Sequence, residues 1–222
     1  MVSKGICLIS GGIDSPMAAY LMSKKMEIIP LHFSLYPYSS RESTPIVLKT
    51  LEILQERTNF SSMVFFPFGK ILDHIFDNLN KKSYACVFCR KAMFKTASKI
   101  CDRIGGNSII TGESLGQKAS QTIDNLKTTS FNIKYPIHRP LIGLDKDEIV
   151  EKSKNAGLFL KKHAGCYKAT PKNPRTKSNP LEIDRKYKKM DLNKSIDQEM
   201  EKLKILDIRK TEITEIYKDI IK

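Results

Sequence analysis

Residues 10–15 read Ser-Gly-Gly-Ile-Asp-Ser, between the apolar run Ile6-Cys7-Leu8-Ile9 and the stretch Pro16-Met17-Ala18-Ala19-Tyr20-Leu21. That order predicts a buried strand, a glycine turn and a helix, with Pro16 in the first turn where proline is favoured. Two adjacent glycines let the backbone bend tightly, and the free amides of a helix N-terminus attract phosphate oxygens. No lysine follows in the Gly-Lys-Ser/Thr pattern, so this is not a Walker A loop. A strand, turn and helix in so few residues commit the chain to alternating β and α elements.

The first two thirds of the chain continue that alternation. Strands are expected over 5–9, 28–33, 63–66, 108–111 and 134–138, and helices over 16–25, 45–58, 69–79, 90–104 and 146–156. Ile-rich strands separated by helices imply an α/β fold with a parallel sheet covered on both faces. Ligands of such sheets bind beyond the C-terminal strand ends, where the 10–15 loop must lie. No internal repeat is visible. A length of 222 residues with 41% hydrophobic content suits one good-sized domain plus an appendage.

The net charge of +14 favours a polyanionic partner, either nucleic acid or an anionic membrane surface. No apolar run approaches the roughly 20 residues that span a bilayer. The strand begins almost at residue 1, leaving no room for a signal peptide, and five cysteines argue against a disulfide framework. A cytoplasmic, reducing location is expected. Between residues 161 and 190 ten Lys/Arg face two acids, interspersed with Pro171, Pro174 and Pro180. This reads as an extended basic segment and not a packed element. Beyond it Ile196, Met200, Leu203, Leu206, Ile213, Ile216 and Ile220 recur at roughly helical spacing. They predict one amphipathic helix over 191–222, its stripe packed on the chain's own core or forming a homodimer seam. The expected division is therefore 1–166 for the α/β domain, 167–190 for the basic segment and 191–222 for the helix.

Cys86-Val-Phe-Cys89 sets two thiols at ligand spacing just ahead of a helix expected to open at Arg90, and Cys166 lies far downstream. Thiols at a helix start are expected to have lowered pKa values, suited to metal or redox work. Two metal centres compete. His163 with Cys86, Cys89 and Cys166 would form a closed Cys3His zinc site, whereas three cysteines alone would hold an iron–sulfur cluster with one iron open. Cys7, in the first strand, and Cys101, in a helix, read as core.

Several stretches together resemble one family, the ThiI-type tRNA 4-thiouridine synthases. They are SGGIDSPMAAYLM from Ser10, LHFSLYPYSS from Leu31, TGESLGQKASQT from Thr111, RPLIGLDKDEI from Arg139 and PKNPRTK from Pro171. The Ser10 loop in particular looks like the pyrophosphate (PP) loop of enzymes that split ATP into AMP and pyrophosphate. The resemblance implies an adenine-nucleotide α-hydrolase-like (PP-loop ATPase) fold. It implies that Ser10, Gly11, Gly12 and Ser15 hold pyrophosphate, and that Asp14 organises the reacting phosphates and Mg2+. Cys7 and Leu8 would offer backbone contacts to adenine, with His32 and Phe33 beside the nucleoside. Arg90, Gly112 and Gln121 match further ATP-binding positions, Lys146 a catalytic lysine, and Cys166 a cysteine that receives persulfide sulfur in bacterial members.

The pattern departs from the family in two places. The loop begins at residue 10, where members carry an RNA-binding portion with a THUMP domain, so a separate THUMP-type protein or the basic segment is expected to recognise tRNA. No rhodanese domain follows, and Cys86 and Cys89 stand where bacterial members lack cysteines. Archaeal members and related 2-thiouridine synthases ligate a [4Fe-4S] cluster with three cysteines, and Cys86, Cys89 and Cys166 fit that pattern. The implied activity is ATP-dependent thiolation of a tRNA uridine at C4, at position 8, drawing on a sulfide or persulfide donor. The alternative is a PP-loop amide- or nitrile-forming ligase acting on a small carboxylate, with the structural zinc site.

Overall fold

The computed structural model describes residues 3–40, 42–161, 165–166 and 168–208. Six strands form one sheet in the order β5-β4-β1-β2-β3-β6. They are β1 (Lys4–Leu8), β2 (Glu27–Ser34), β3 (Ser62–Pro67), β4 (Ser108–Ile110), β5 (Ile137–His138) and β6 (Lys204–Asp207). All neighbours are parallel except β3 and β6. Eight α-helices are described: α1 (Asp14–Ser23), α2 (Ser43–Gln55), α3 (Gly69–Asn78), α4 (Ala85–Ile104), α5 (Ile123–Ser130), α6 (Lys146–Asn155), α7 (Pro180–Lys189) and α8 (Leu192–Met200).

The near-continuous apolar strands feed two cores, one on each face. From β1, Ile6 and Leu8 join a cluster with α3, α4, α7 and α8, while Cys7 and, just past the strand, Ile9 join one with α1, α2 and α6. This is the period-two alternation of a strand applied to a sheet buried on both sides. From β1 the chain moves outward through β2 and β3, then returns to the other side of β1 as β4. The strand order therefore switches between β1 and β4, and a crevice opens above their C-terminal ends.

The C-terminal third differs from its sequence reading. Residues 180–189 form α7, with Asn179 accepting from the Glu182 amide as N-cap and Pro180 in the first turn. The proline that suggested an extended segment is thus a helix-start signal. Ile183 and Tyr187, one turn apart, are buried in the core. The fully buried Lys91 of α4 reaches Asp184 at 3.1 Å and pins α7 in place. The expected helix over 191–222 is present as α8 and ends at Met200, and residues 204–207 pair with β3 as an antiparallel edge strand. The recurring Leu and Ile positions serve two periodicities, helical up to Met200 and extended beyond it. Residues 209–222 lie outside the described residues. No helix among the described residues is long and apolar enough to cross a membrane.

Candidate active site

The crevice at the switch point holds a cavity of about 220 Å³. It is lined by the turn from Leu8 to Ser15, by His32, Phe33, Thr111 and Gly112, and by Arg90, Lys118, Gln121 and Cys166. Among the described lining residues Asp14 is the only carboxylate, against Arg90 and Lys118, so the cavity suits an anion. Of the residues singled out in the sequence, Leu8, Ser10, Gly11, Gly12, Asp14, Ser15, His32, Phe33, Arg90, Gly112, Gln121 and Cys166 all line it. Cys7 does not; its side chain is fully buried on the α1 side of the sheet, where burial raises its thiol pKa strongly.

The turn is fixed by its own serines. Ser15 Oγ accepts from the Ser10 amide at 2.9 Å and donates to the Ser10 carbonyl at 3.2 Å. The first turn of α1 has no side-chain cap, so its amides remain available to an anion. Gly112 packs against this turn from β4: a Cβ there would stand 2.6 Å from the Asp14 carbonyl carbon and the Ser15 nitrogen. Only glycine allows the two loops to approach so closely.

Lys146 is not itself a lining residue but meets Asp14, Nζ to Oδ1 at 2.6 Å. Its position follows from α6, whose start is set by a capping box in which Asp145 and Glu148 satisfy each other's amides. Lys146 is the first residue of that helix, and the capping box aims it at the loop.

His32 is 8% exposed, and its Nδ1 lies 3.0 Å from the Ile9 carbonyl. That carbonyl fixes the proton on Nδ1 of a neutral ring. Burial lowers the His32 pKa to about 4, against which the Ile9 contact acts only partly. The unfolded chain therefore takes up this proton near pH 6.5 and the folded protein does not. Stability carried by neutral His32, about 3 kcal/mol for a shift of this size, is full above pH 6.5 and lost as pH falls toward 4. Melting temperatures between pH 7 and 4.5 should decline more steeply for wild type than for His32→Asn, whose amide can donate to the same carbonyl.

The cysteine arrangement is corrected in two respects. A 3-10 turn at Lys82–Tyr84 leads directly into α4 at Ala85, so Cys86 and Cys89 stand within its first turns and not ahead of it. Cys86, Cys89 and Arg90 consequently share a helix face. The thiol pKa values are raised and not lowered. For Cys89, burial and the neighbouring Cys166 thiol push it up to about 12, with Arg90 acting in the opposite sense. Cys86 is raised for the same two reasons, against Arg90 and Lys118. Helix-start amides do not overcome desolvation here. Cys101 is buried beneath β4 with its Sγ 3.7 Å from the Ser108 carbonyl, a core residue.

Cys86, Cys89 and Cys166 thus come within electrostatic range of one another beside the cavity. Among the described residues, no three His, Cys, Asp or Glu side chains are gathered at metal-ligand geometry. His163 of the zinc alternative lies outside the described residues. The donor set itself, three thiols with no carboxylate, fits an iron–sulfur cluster.

Two residues of the site escaped individual notice in the sequence. Glu113, 1% exposed, lies between Arg90 and Arg139. Lys118 lines the cavity. Both belong to the TGESLGQKASQT stretch, whose polar density was the available signal. Gln121 is 5% exposed and its Oε1 has no hydrogen-bond partner, an acceptor left for a ligand.

Residues 1–192 match the family model described as Thiamine biosynthesis protein (ThiI). A "Probable tRNA sulfurtransferase" of Methanocaldococcus jannaschii is 38% identical over 196 residues, covering 85% of this chain and 50% of that protein. One of the same description from Acetivibrio thermocellus is 33% identical over 210 residues, covering 92% and 53%. The crystal structure of a 4-thiouridine synthetase in complex with RNA and bound ATP superposes with a TM-score of 0.81 at 30% identity. That superposition covers 91% of this chain and 54% of the neighbour. The chain spans about half the length of the curated relatives it matches.

Proposed function

The chain belongs to the ThiI family, and from that membership we propose that it carries out ATP-dependent thiolation of a tRNA uridine to 4-thiouridine, at position 8. The observation that carries this reading is the meeting in one cavity of an anion-binding loop and a cysteine. The loop pairs Asp14 with Lys146, and Cys166 lines the cavity. A nucleotide-binding module alone would not need the thiol. A thiol enzyme alone would not need a helix N-terminus left uncapped for an anion.

The chemistry has two halves. Uracil O4 attacks the α-phosphorus of ATP, the bond to the β-phosphate oxygen breaks, and pyrophosphate leaves. AMP then occupies C4 as a leaving group far better than oxide. The Gly11 and Gly12 turn and the first amides of α1 cradle the departing phosphates, and Lys146 neutralises charge that develops on them. Asp14 is the lining carboxylate able to hold Mg2+ against those phosphates. His32, neutral at physiological pH, and Phe33 form the wall for the nucleoside. Gln121 offers its unsatisfied acceptor, and Arg90 and Lys118 balance the triphosphate charge. A [4Fe-4S] cluster held by Cys86, Cys89 and Cys166 would supply the sulfur that displaces AMP from C4. Of the three, Cys166 is the one that lines the cavity. Thiolate ligation of this kind suits a reducing, cytoplasmic compartment.

The tRNA would be held by the basic strap over 171–178 together with α7, with a THUMP-type protein supplying further contacts. The strap is stitched to α5: Thr122 Oγ1 donates to the Thr176 carbonyl at 2.6 Å and Asn125 Nδ2 to the Arg175 carbonyl at 2.8 Å. Its backbone is thus fixed while Lys172, Arg175 and Lys177 remain exposed. Truncation after Ser178 is unsuited as a test, because it removes the buried Ile183 and Tyr187. Substituting Lys172, Arg175 and Lys177 by Gln should instead flatten the log–log dependence of tRNA affinity on salt, by about 0.7–0.9 for each phosphate no longer neutralised. An unchanged slope would move the RNA contacts elsewhere.

The reading as a whole is tested by pyrophosphate release. With ATP, tRNA and a sulfide source, release should depend on tRNA. Release at the same rate without tRNA, or dependent on a small carboxylate and ammonia, would favour the ligase alternative.

A further inference from the structure

Glu113 follows Gly112 in the loop after β4 and is almost fully buried, yet it faces two guanidinium groups. Arg139 donates from Nε to Oε2 at 2.8 Å, in good hydrogen-bond geometry, and its Nη2 donates to Ser130 Oγ at 2.7 Å. Arg90 approaches the other oxygen, Nε to Oε1 at 3.3 Å, but without hydrogen-bond alignment, so Oε1 has no hydrogen-bond partner. Both arginines also lie against the Phe94 ring, at 5.9 Å and 5.8 Å from its centroid. One carboxylate thus serves two cations in an apolar setting, and the trio carries a surplus positive charge.

The asymmetry has a physical meaning. A buried carboxylate with a single partner cannot release it without standing as an uncompensated charge, which is strongly unfavourable. Arg139 removes that obstacle: it keeps Glu113 ionised and oriented whatever Arg90 does. Arg90 lines the nucleotide cavity, whereas Glu113 and Arg139 do not. The surplus charge therefore reaches the cavity through Arg90, loosely held at one end and aimed at the anion from a fixed pivot. Because Gly112 is wedged against Asp14 and Ser15, that pivot is registered to the phosphate loop itself.

We propose that Glu113, balanced by Arg139, is a positioning residue that presents the Arg90 guanidinium to the anionic ligand of the cavity. The inference rests on the reading of that ligand as ATP. It assigns no contact between Glu113 and the nucleotide; Glu113 acts through Arg90.

Calorimetric titration of the full chain with a non-hydrolysable Mg–ATP analogue tests it. Arg90→Gln should weaken binding by about ten- to a hundredfold, the loss of one charged hydrogen bond. Glu113→Gln should reproduce most of that loss, and Glu113→Gln combined with Arg90→Gln should bind no worse than Arg90→Gln alone. Glu113→Asp should recover part of the affinity. Should Glu113→Gln fold poorly because two partly buried cations are left without a counter-charge, the pair Glu113→Gln with Arg139→Gln relieves that charge, and it too should lose affinity. A merely structural Glu113 would lower the melting temperature yet leave nucleotide affinity unchanged below it, or would show losses that multiply with those of Arg90→Gln. Either outcome overturns the inference. Failure of the wild-type chain to bind any adenine nucleotide would overturn the ATP reading and this inference together. Wild-type binding matched by Glu113→Gln would overturn this inference alone.

Discussion

Asp14→Ala is expected to abolish AMP formation, with a rate loss on the order of 10³-fold, while leaving the fold intact. The substitution removes the one described carboxylate lining the cavity and frees Lys146, whose ammonium it holds at 2.6 Å. In the proposed reaction Lys146 would act on the developing phosphate charge directly and Asp14 through the Mg2+ it would hold, contributions of a kind worth about 10²–10³-fold when removed singly. The structural cost is small because the pair is a partly exposed salt bridge, with Lys146 half exposed, and such pairs contribute about 0–1 kcal/mol. Lys146→Ala should share the phenotype. An Asp14→Ala protein that melts normally and still forms AMP at the wild-type rate would remove the loop from the chemistry.

Serine substitution at Cys86, Cys89 or Cys166 is expected to separate the two halves of the reaction. Each variant should lose iron and labile sulfide in protein prepared without oxygen, and each should lose thiouridine formation, because a three-ligand cluster needs all three thiolates. Each should retain tRNA-dependent pyrophosphate release, which uses the loop and Lys146, with AMP left bonded to the uridine. Cys7→Ser and Cys101→Ser should keep the cluster, at some cost in stability from placing a hydroxyl in the core. Stoichiometric zinc without labile sulfide, together with loss of metal in His163→Ala, would instead establish the closed Cys3His site. Full thiolation by Cys86→Ser would contradict the cluster outright.

Much of the fold was legible because its strongest signals are local. The turn at Ser10–Ser15 and the apolar runs of β1 to β4 have one reading each, whereas the strand order depends on pairings distant in sequence. The helices α5 and α7 were not read, for a shared reason. Thr122 caps α5 and Asn179 caps α7, but both helices are short and polar on their outer faces, so charge and proline masked their apolar positions. Strand β6 was lost because Leu203, Leu206 and neighbouring residues fit a helical stripe as well as a strand. Only pairing with β3, far away in the sequence, decides between them.

The site shows the same division. Ser10 to Ser15, Gly112 and Lys146 were identifiable from motif stretches, whereas the Glu113 pivot was not, since it exists only where α4 and the loops after β4 and β5 converge. The direction of the Cys86 and Cys89 shifts was misjudged because a helix start is visible in sequence and its burial is not.

The most direct test of the coupled chemistry is a single-turnover reaction of the chain, prepared without oxygen, with α-labelled ATP, unmodified tRNA and sulfide. The products to be counted are AMP and 4-thiouridine. One AMP is expected for each thiouridine, with neither formed when tRNA or ATP is left out. Thiouridine accumulating without AMP, or AMP forming equally well in the absence of tRNA, would contradict the adenylation of uridine by this site.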